Sequence, residues 1–208
     1  MKYVISVSFL LLVISGYATN TVTLQPDGAA SKDTVIWASY PDDNYGDVPD
    51  IWAGMYLGHG DALIEFEGLD TYIGATLTYA ELNLYVGTVY DMGYEFWVCR
   101  VDGTWDEHTV TWNNNPGHEG TIYETFETPA GDAWLSVDVT AIVQTWLDES
   151  FPHYGFYIGL HSGGFGYFFF WSGEYTSNPD LRPYLYLEYS YESIAPASLG
   201  AIKAGFTE

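Results

Sequence analysis

Where apolar and polar residues alternate one by one along the chain, successive side chains go to opposite faces of an extended strand. The segment Ala75 to Val86 shows this most clearly. Ala80, Leu82, Leu84 and Val86 alternate with Glu81, Asn83 and Tyr85, predicting a strand with one buried and one wet face. Thr21–Gln25 alternates in the same way, and shorter strand-like runs bounded by clusters of Gly, Pro, Asn and Asp predict strands over Asp33–Ala38, Ile51–Tyr56, Ala62–Phe66, Tyr94–Val101, Thr121–Glu127, Ala133–Val137, Phe156–Leu160, Tyr167–Trp171 and Tyr184–Tyr191. One stretch changes period. Val139, Ile142, Val143, Trp146 and Leu147 form the apolar stripe of a helix lying on a core, and Asp138 stands where it can cap the helix start. Short strands between turns, one helix and no tandem repeat predict an all-β fold, a sandwich or jelly roll, with one short helix packed on it.

The segment Gly103 to Gly117, GTWDEHTVTWNNNPG, fits neither period. It is too polar for a core strand and too aromatic for a simple loop. It is expected to cross a sheet, laying Trp105 and Trp112 against it while its polar groups bond exposed backbone.

The chain opens with Lys2, an apolar run from Val4 to Ile14, and Gly16-Tyr17-Ala18. This is the pattern of a secretory signal peptide cleaved after Ala18, and the run is too short to span a bilayer. The expected division is a signal peptide over 1–18, a sandwich domain over 19–192 and a tail over 193–208, with a secreted, extracellular or cell-surface location and no membrane span. The net charge of −23 repels nucleic acid and anionic membranes. A single cysteine, Cys99, rules out an internal disulfide and, in a strand-like run, reads as a buried, inert thiol. The core must therefore supply the stability, and 18% aromatic residues can furnish it.

Several motifs recur in order. Lys32-Asp33-Thr34-Val35-Ile36 opens a strand, and Asn44-Tyr45-Gly46 forms a loop. Ala62 to Glu67 (ALIEFE) and Ala80 to Tyr85 (AELNLY) are core strands. Trp105-Asp106-Glu107 precedes Thr111-Trp112-Asn113-Asn114 and Pro116. Val137-Asp138-Val139-Thr140 leads to Val143 and Trp146, and Arg182-Pro183-Tyr184-Leu185 closes the set. Together they resemble the DNRLRE (disaggregatase-related) domain family, over roughly residues 21 to 191. Glu65 stands where the family usually carries a basic residue. The resemblance implies a jelly-roll sandwich akin to carbohydrate-binding modules, secreted or surface-exposed, in which Trp105, Glu107, Thr111, Trp112 and Pro116 are scaffold. The fold does not fix the function.

No catalytic constellation stands out. Gly159 to Gly163 lacks the spacing and the strand-turn-helix setting of a nucleophile elbow, and the five histidines lack metal-protease spacing. A non-catalytic role is expected. Asp42, Asp43, Asn44, Asp47 and Asp50 concentrate oxygen donors in one Gly-containing loop, and a structural calcium ion is expected near it. Trp37, Tyr40, Tyr45 and Trp52 cluster beside that loop as candidate glycan-binding aromatics. In the tail, Leu199, Ile202 and Phe206 are apolar with no obvious partner inside the domain. They could add to a neighbour's sheet edge or groove in a head-to-tail homopolymer. The leading expectation is a self-assembling structural subunit of an extracellular filament or surface matrix. The alternative is a carbohydrate-binding module contacting extracellular polysaccharide, and a weaker one is a polysaccharide-acting enzyme.

Overall fold

The structure is a computed structural model describing residues 19–25, 31–161 and 164–191. The proposed signal peptide and the tail residues Leu199, Ile202 and Phe206 lie outside the described residues. Among the described residues are eleven antiparallel strands: β1 Asn20–Leu24, β2 Ser31–Trp37, β3 Asp50–Met55, β4 His59–Phe66, β5 Thr76–Tyr90, β6 Glu95–Val101, β7 His118–Glu127, β8 Ala133–Asp138, β9 Phe156–Leu160, β10 Tyr167–Trp171 and β11 Tyr184–Ser190. One helix, α1 (Thr140–Leu147), follows β8. The strands lie within a few residues of the alternating segments. β5 is the main departure, since pairing with β10 carries it on to Tyr90.

Pairing runs β1-β11-β5-β10-β3-β4-β9-β6-β7, with β2 beside β4 and β8 beside β5. The β3–β4 link is short, Gly54 opposite Gly60 and Met55 opposite His59. On either side of it, inward residues from both halves share one core. Ile64, Phe66, Phe96, Val98, Phe156 and Ile158 meet Leu82, Leu84, Val86, Phe168, Phe170 and Leu185. Each such side chain contributes about 1.5–3 kcal/mol on leaving water. The result is the expected all-β sandwich, with a first layer β2-β4-β9-β6-β7 and a second layer built around β5.

Helix α1 buries Ile142, Val143, Trp146 and Leu147, the predicted stripe. Its cap sits one residue later than expected, with Val139 at the N-cap. Asp138 still acts, accepting the Thr140 N–H at 2.9 Å and the Thr140 hydroxyl at 2.6 Å. The helix is stitched to β5 by Thr140 Oγ1, which accepts the Ala80 N–H at 2.8 Å, and by Gln144 Oε1, which accepts the Leu77 N–H at 2.8 Å.

A second, smaller cluster lies on the other face of the first layer: Ile36, Leu63, Cys99, Val101 and Tyr157, roofed by Trp105 and Val110. The roof is the segment 102–117. Trp105 is 7% exposed, and its Nε1–H donates to the Tyr154 carbonyl at 2.9 Å. Glu107 reaches back to β2, its Oε1 accepting the Asp33 N–H at 2.7 Å. Asn44 holds the segment from the other side, its Nδ2 donating to the carbonyls of Glu107 (2.7 Å) and Val110 (2.8 Å). A capping box between Thr111 and Asn114 turns the chain at Trp112, which packs half-buried against the cluster. Cys99 is fully buried here, and burial pushes its thiol up to about 12.

Among the described residues, the basic side chains are spent on internal partners. Lys32 pairs with Glu65 at 2.7 Å and lies 5.0 Å over the Trp105 ring. Arg100, 1% exposed, pairs with Glu119 and stacks on Phe151. Arg182 Nε donates to the Tyr175 carbonyl at 2.9 Å.

The roof predicts an order of losses. Trp105→Ala should cost about 3–5 kcal/mol, because it opens a cavity and strands a hydrogen bond, and Trp112→Ala should cost less. Urea unfolding measures both; equal losses would contradict this division of labour.

Candidate functional site

The segment 102–117 covers only part of the first layer's outer face. Strand period and register decide what remains. In β6 the core takes Phe96 and Val98, so Glu95, Trp97 and Cys99 point outward. Trp97 stands opposite Gly159 of β9, and Cys99 stands between Tyr157 of β9 and Tyr123 of β7. In β4, Asp61 and His59 fall on the same face. The roof covers Cys99 and leaves Trp97 half-buried, while Tyr123, His118 and His161 are exposed.

These side chains form one connected group. Trp97 meets His118 (4.8 Å between ring centres), Tyr123 (5.6 Å) and His161 (5.6 Å). His118 also meets Tyr157 at 4.7 Å, and Trp112, at the edge of the roof, meets His59 at 5.5 Å. Beneath the rings lies Asp61, 3% exposed. It accepts the Tyr157 hydroxyl at 2.6 Å, and His59 Nε2 lies 3.0 Å from both of its oxygens. His161 Nδ1 lies 2.8 Å from Glu95 Oε2.

Glycine makes the arrangement fit. A Cβ on Gly159 would stand 2.4 Å from Asp61 Oδ1 and 3.2 Å from Trp97 Nε1, and one on Gly120 would stand 3.1 Å from Trp97 Cζ3. The Trp97 indole is thus seated between two bare stretches of backbone, with His118 and Tyr123 at its edges. The hydrogen bond to the Asp61 carboxylate raises the His59 pKa, burial opposes the rise, and the Asp61 charge adds to it. Burial raises the Tyr157 pKa, with Asp61 reinforcing it, so the phenol stays a proton donor. The face therefore offers a broad indole, smaller rings, imidazole nitrogens and a carboxylate held in fixed orientation.

The other nominated residues are placed as follows. Trp37, Tyr40, Tyr45 and Trp52 do come together, with Trp37 4.7 Å from Tyr40, 5.9 Å from Tyr45 and 4.9 Å from Trp52. Trp37 and Trp52 are buried within the core, however, and Tyr40, 51% exposed, is the most open of the four. Asp42 accepts from Asn113 Nδ2 at 2.7 Å, Asp43 and Asp47 are exposed, and the Asn44 amide is used on the roof. Asp50 lies in β3, lining a cleft of about 200 Å³ with Thr88, Phe169 and Trp171, and burial raises its pKa. Among the described residues, the one group of three or more His, Cys, Asp or Glu side chains whose ligand atoms lie within 4.8 Å of one another is Asp33, Glu107 and Glu174. Asp33 and Glu107 were read as family motif residues, and Glu174 was not singled out. Trp97, Tyr123, Asp61 and Tyr157 were also passed over. The alternation in Glu95 to Val101 contained the signal, since Trp97 falls on the face opposite Phe96 and Val98.

A rigid β-sandwich presenting aromatic rings beside oriented hydrogen-bonding groups has the make-up of a sugar-binding module. Comparison with known families agrees, for residues 25–189 match the family model of carbohydrate-binding module family 96. The chain belongs to that family, which is defined by binding rather than by a reaction. No curated protein matches it. Among the described residues, no helix is long and apolar enough to cross a membrane.

The Asp61–His59 pair carries a pH signature. A raised imidazole pKa contributes stability in full below the unfolded value of about 6.5, and the contribution disappears as pH rises through the folded value. In an NMR titration, His59 should have its midpoint above about 6.5, and Asp61→Asn should lower it. Identical midpoints in the two proteins would mean the contact does not couple them.

Proposed function

We propose that the protein is a secreted, non-catalytic module that binds an extracellular polysaccharide on the open half of its first layer, with Trp97 as the central aromatic platform. The observation that carries this reading is the indole seated between Gly159 and Gly120, flanked by Tyr123, His118 and His161. Sugar rings present apolar C–H faces that pack on aromatic surfaces. Their hydroxyls need donors and acceptors fixed in advance, and Asp61, His59 and Glu95 supply these at the edges of the platform. Strands hold the residues, so little ordering entropy is lost on binding. The family match supports carbohydrate as the ligand class, and modules of this kind act outside the cell. The net charge of −23 sets up long-range repulsion against polyanionic chains, which makes neutral polysaccharides the first ligands to test.

The self-assembly reading gains no observation from the described residues, because the tail on which it rests lies outside them. The family match favours the binding reading over it.

Affinity electrophoresis against soluble neutral polysaccharides, with a polyuronate for comparison, should show retardation of the wild-type protein. Trp97→Ala should weaken binding at least about tenfold, equivalent to about 1.4 kcal/mol and in the range of an aromatic anchor. Tyr40→Ala should bind as wild type. Near-ultraviolet circular dichroism checks that each variant is folded. A folded Trp97→Ala protein with unchanged retardation would place the binding surface elsewhere.

A further inference from the structure

The carboxylates of Asp33, Glu107 and Glu174 come from three separate parts of the chain: β2, the crossing segment, and the turn after β10. Their ligand atoms nevertheless lie within 4.8 Å of one another. Asp33 is 1% exposed and Glu107 7% exposed. Folding like charges together out of water is costly unless something compensates them.

Protein donors compensate them only in part. Asp33 Oδ2 accepts the Gly173 N–H at 2.7 Å, and Glu107 Oε1 accepts the Asp33 N–H at 2.7 Å. Asp33 Oδ1 and Glu174 Oε2 are buried with no hydrogen-bond donor among the described residues. His108 Nε2 is 3.7 Å from Glu107 Oε2, and Arg182 acts on Glu174 only through its field. This environment contrasts with Asp61, whose two oxygens are both engaged by His59 and Tyr157. Burial is the largest cause for all three groups and pushes their pKa values upward, as expected of acids taken out of water.

We propose that Asp33, Glu107 and Glu174 form a structural calcium site that fastens the crossing segment and the β10 turn to β2. All three side chains offer oxygen, which suits a hard cation. Calcium binds oxygen at roughly 2.3–2.6 Å, so two ligands on opposite sides of one ion stand up to about 5 Å apart, which matches the spread of this group. Backbone oxygens and water complete its six to eight ligands. The site differs from the acidic loop favoured by sequence. That loop instead buttresses the site from behind, since a Cβ on Gly46 would stand 2.4 Å from the Glu107 carbonyl oxygen. The inference is independent of glycan binding.

The test is performed on the intact protein without any glycan. Metal analysis after dialysis from calcium buffer should find one calcium per chain. At a hundredfold excess over its Kd, calcium should raise the melting temperature by about 5–10 °C relative to EGTA. Glu174→Gln, at a half-buried position that tolerates an isosteric change, should lose both the bound calcium and the shift. Asp47→Asn, in the acidic loop, should keep both. Three results would each overturn the proposal: a wild-type midpoint indifferent to calcium with no metal bound, a calcium response that survives Glu174→Gln, or a response to magnesium and none to calcium. The first would mean that protons, shared between Asp33 and Glu174, neutralise the group instead.

Discussion

A sheet has two faces, and in this protein one layer of the sandwich must do something with the face that its partner layer does not cover. The crossing segment solves half of that problem. Trp105 seals Cys99, Val101 and Leu63 from water, and Glu107 ties the segment to β2 through the Asp33 N–H. Where the segment ends, the same outer face is left open with Trp97 at its centre. The roof and the open face proposed for binding are thus two treatments of one surface, and the boundary between them runs along Trp112 and Tyr157.

Buried acids mark both regions, and they are managed differently. Asp61 is enclosed by a phenol and an imidazole, so its charge is spread over hydrogen bonds that also orient the binding face. Asp33 and Glu174 keep oxygens that no protein donor reaches among the described residues. The first arrangement is complete within the protein, whereas the second leaves buried oxygens to which the proposed cation would bind. Both rest on close backbone approaches that glycine permits, at Gly159 beside Asp61 and at Gly46 beside Glu107.

Most of the fold could be read from the chain. Strands β10 and β11 bury one face and expose the other more, a period of two, whereas β2, β4 and β9 are buried on both faces and read as apolar runs between turns. Helix α1 was visible because Val139, Ile142, Val143, Trp146 and Leu147 keep to a period of 3.6. The binding face was harder to see, because it depends on register. Trp97, Gly159, Asp61 and Tyr123 lie on four strands and become neighbours only when β4, β9, β6 and β7 are set side by side. Local density of aromatic residues pointed instead to Trp37 and Trp52, which the structure buries. In the same way, a run of acids in sequence drew attention to Asp42 through Asp50. The group whose ligand atoms converge is assembled from positions 33, 107 and 174.

The inward use of Lys32, Arg100 and Arg182 has an effect well beyond the contacts they make. With these three cations committed to Glu65, Glu119 and a backbone carbonyl, the outer surface presents a coat of nearly one sign. Two copies approaching in dilute medium repel one another as like-charged colloids do. In brine the Debye length falls from about 8 Å at physiological ionic strength to about 3 Å at 1 M, and the repulsion becomes short-ranged. The salinity of the surroundings then sets how closely two such molecules can approach one another.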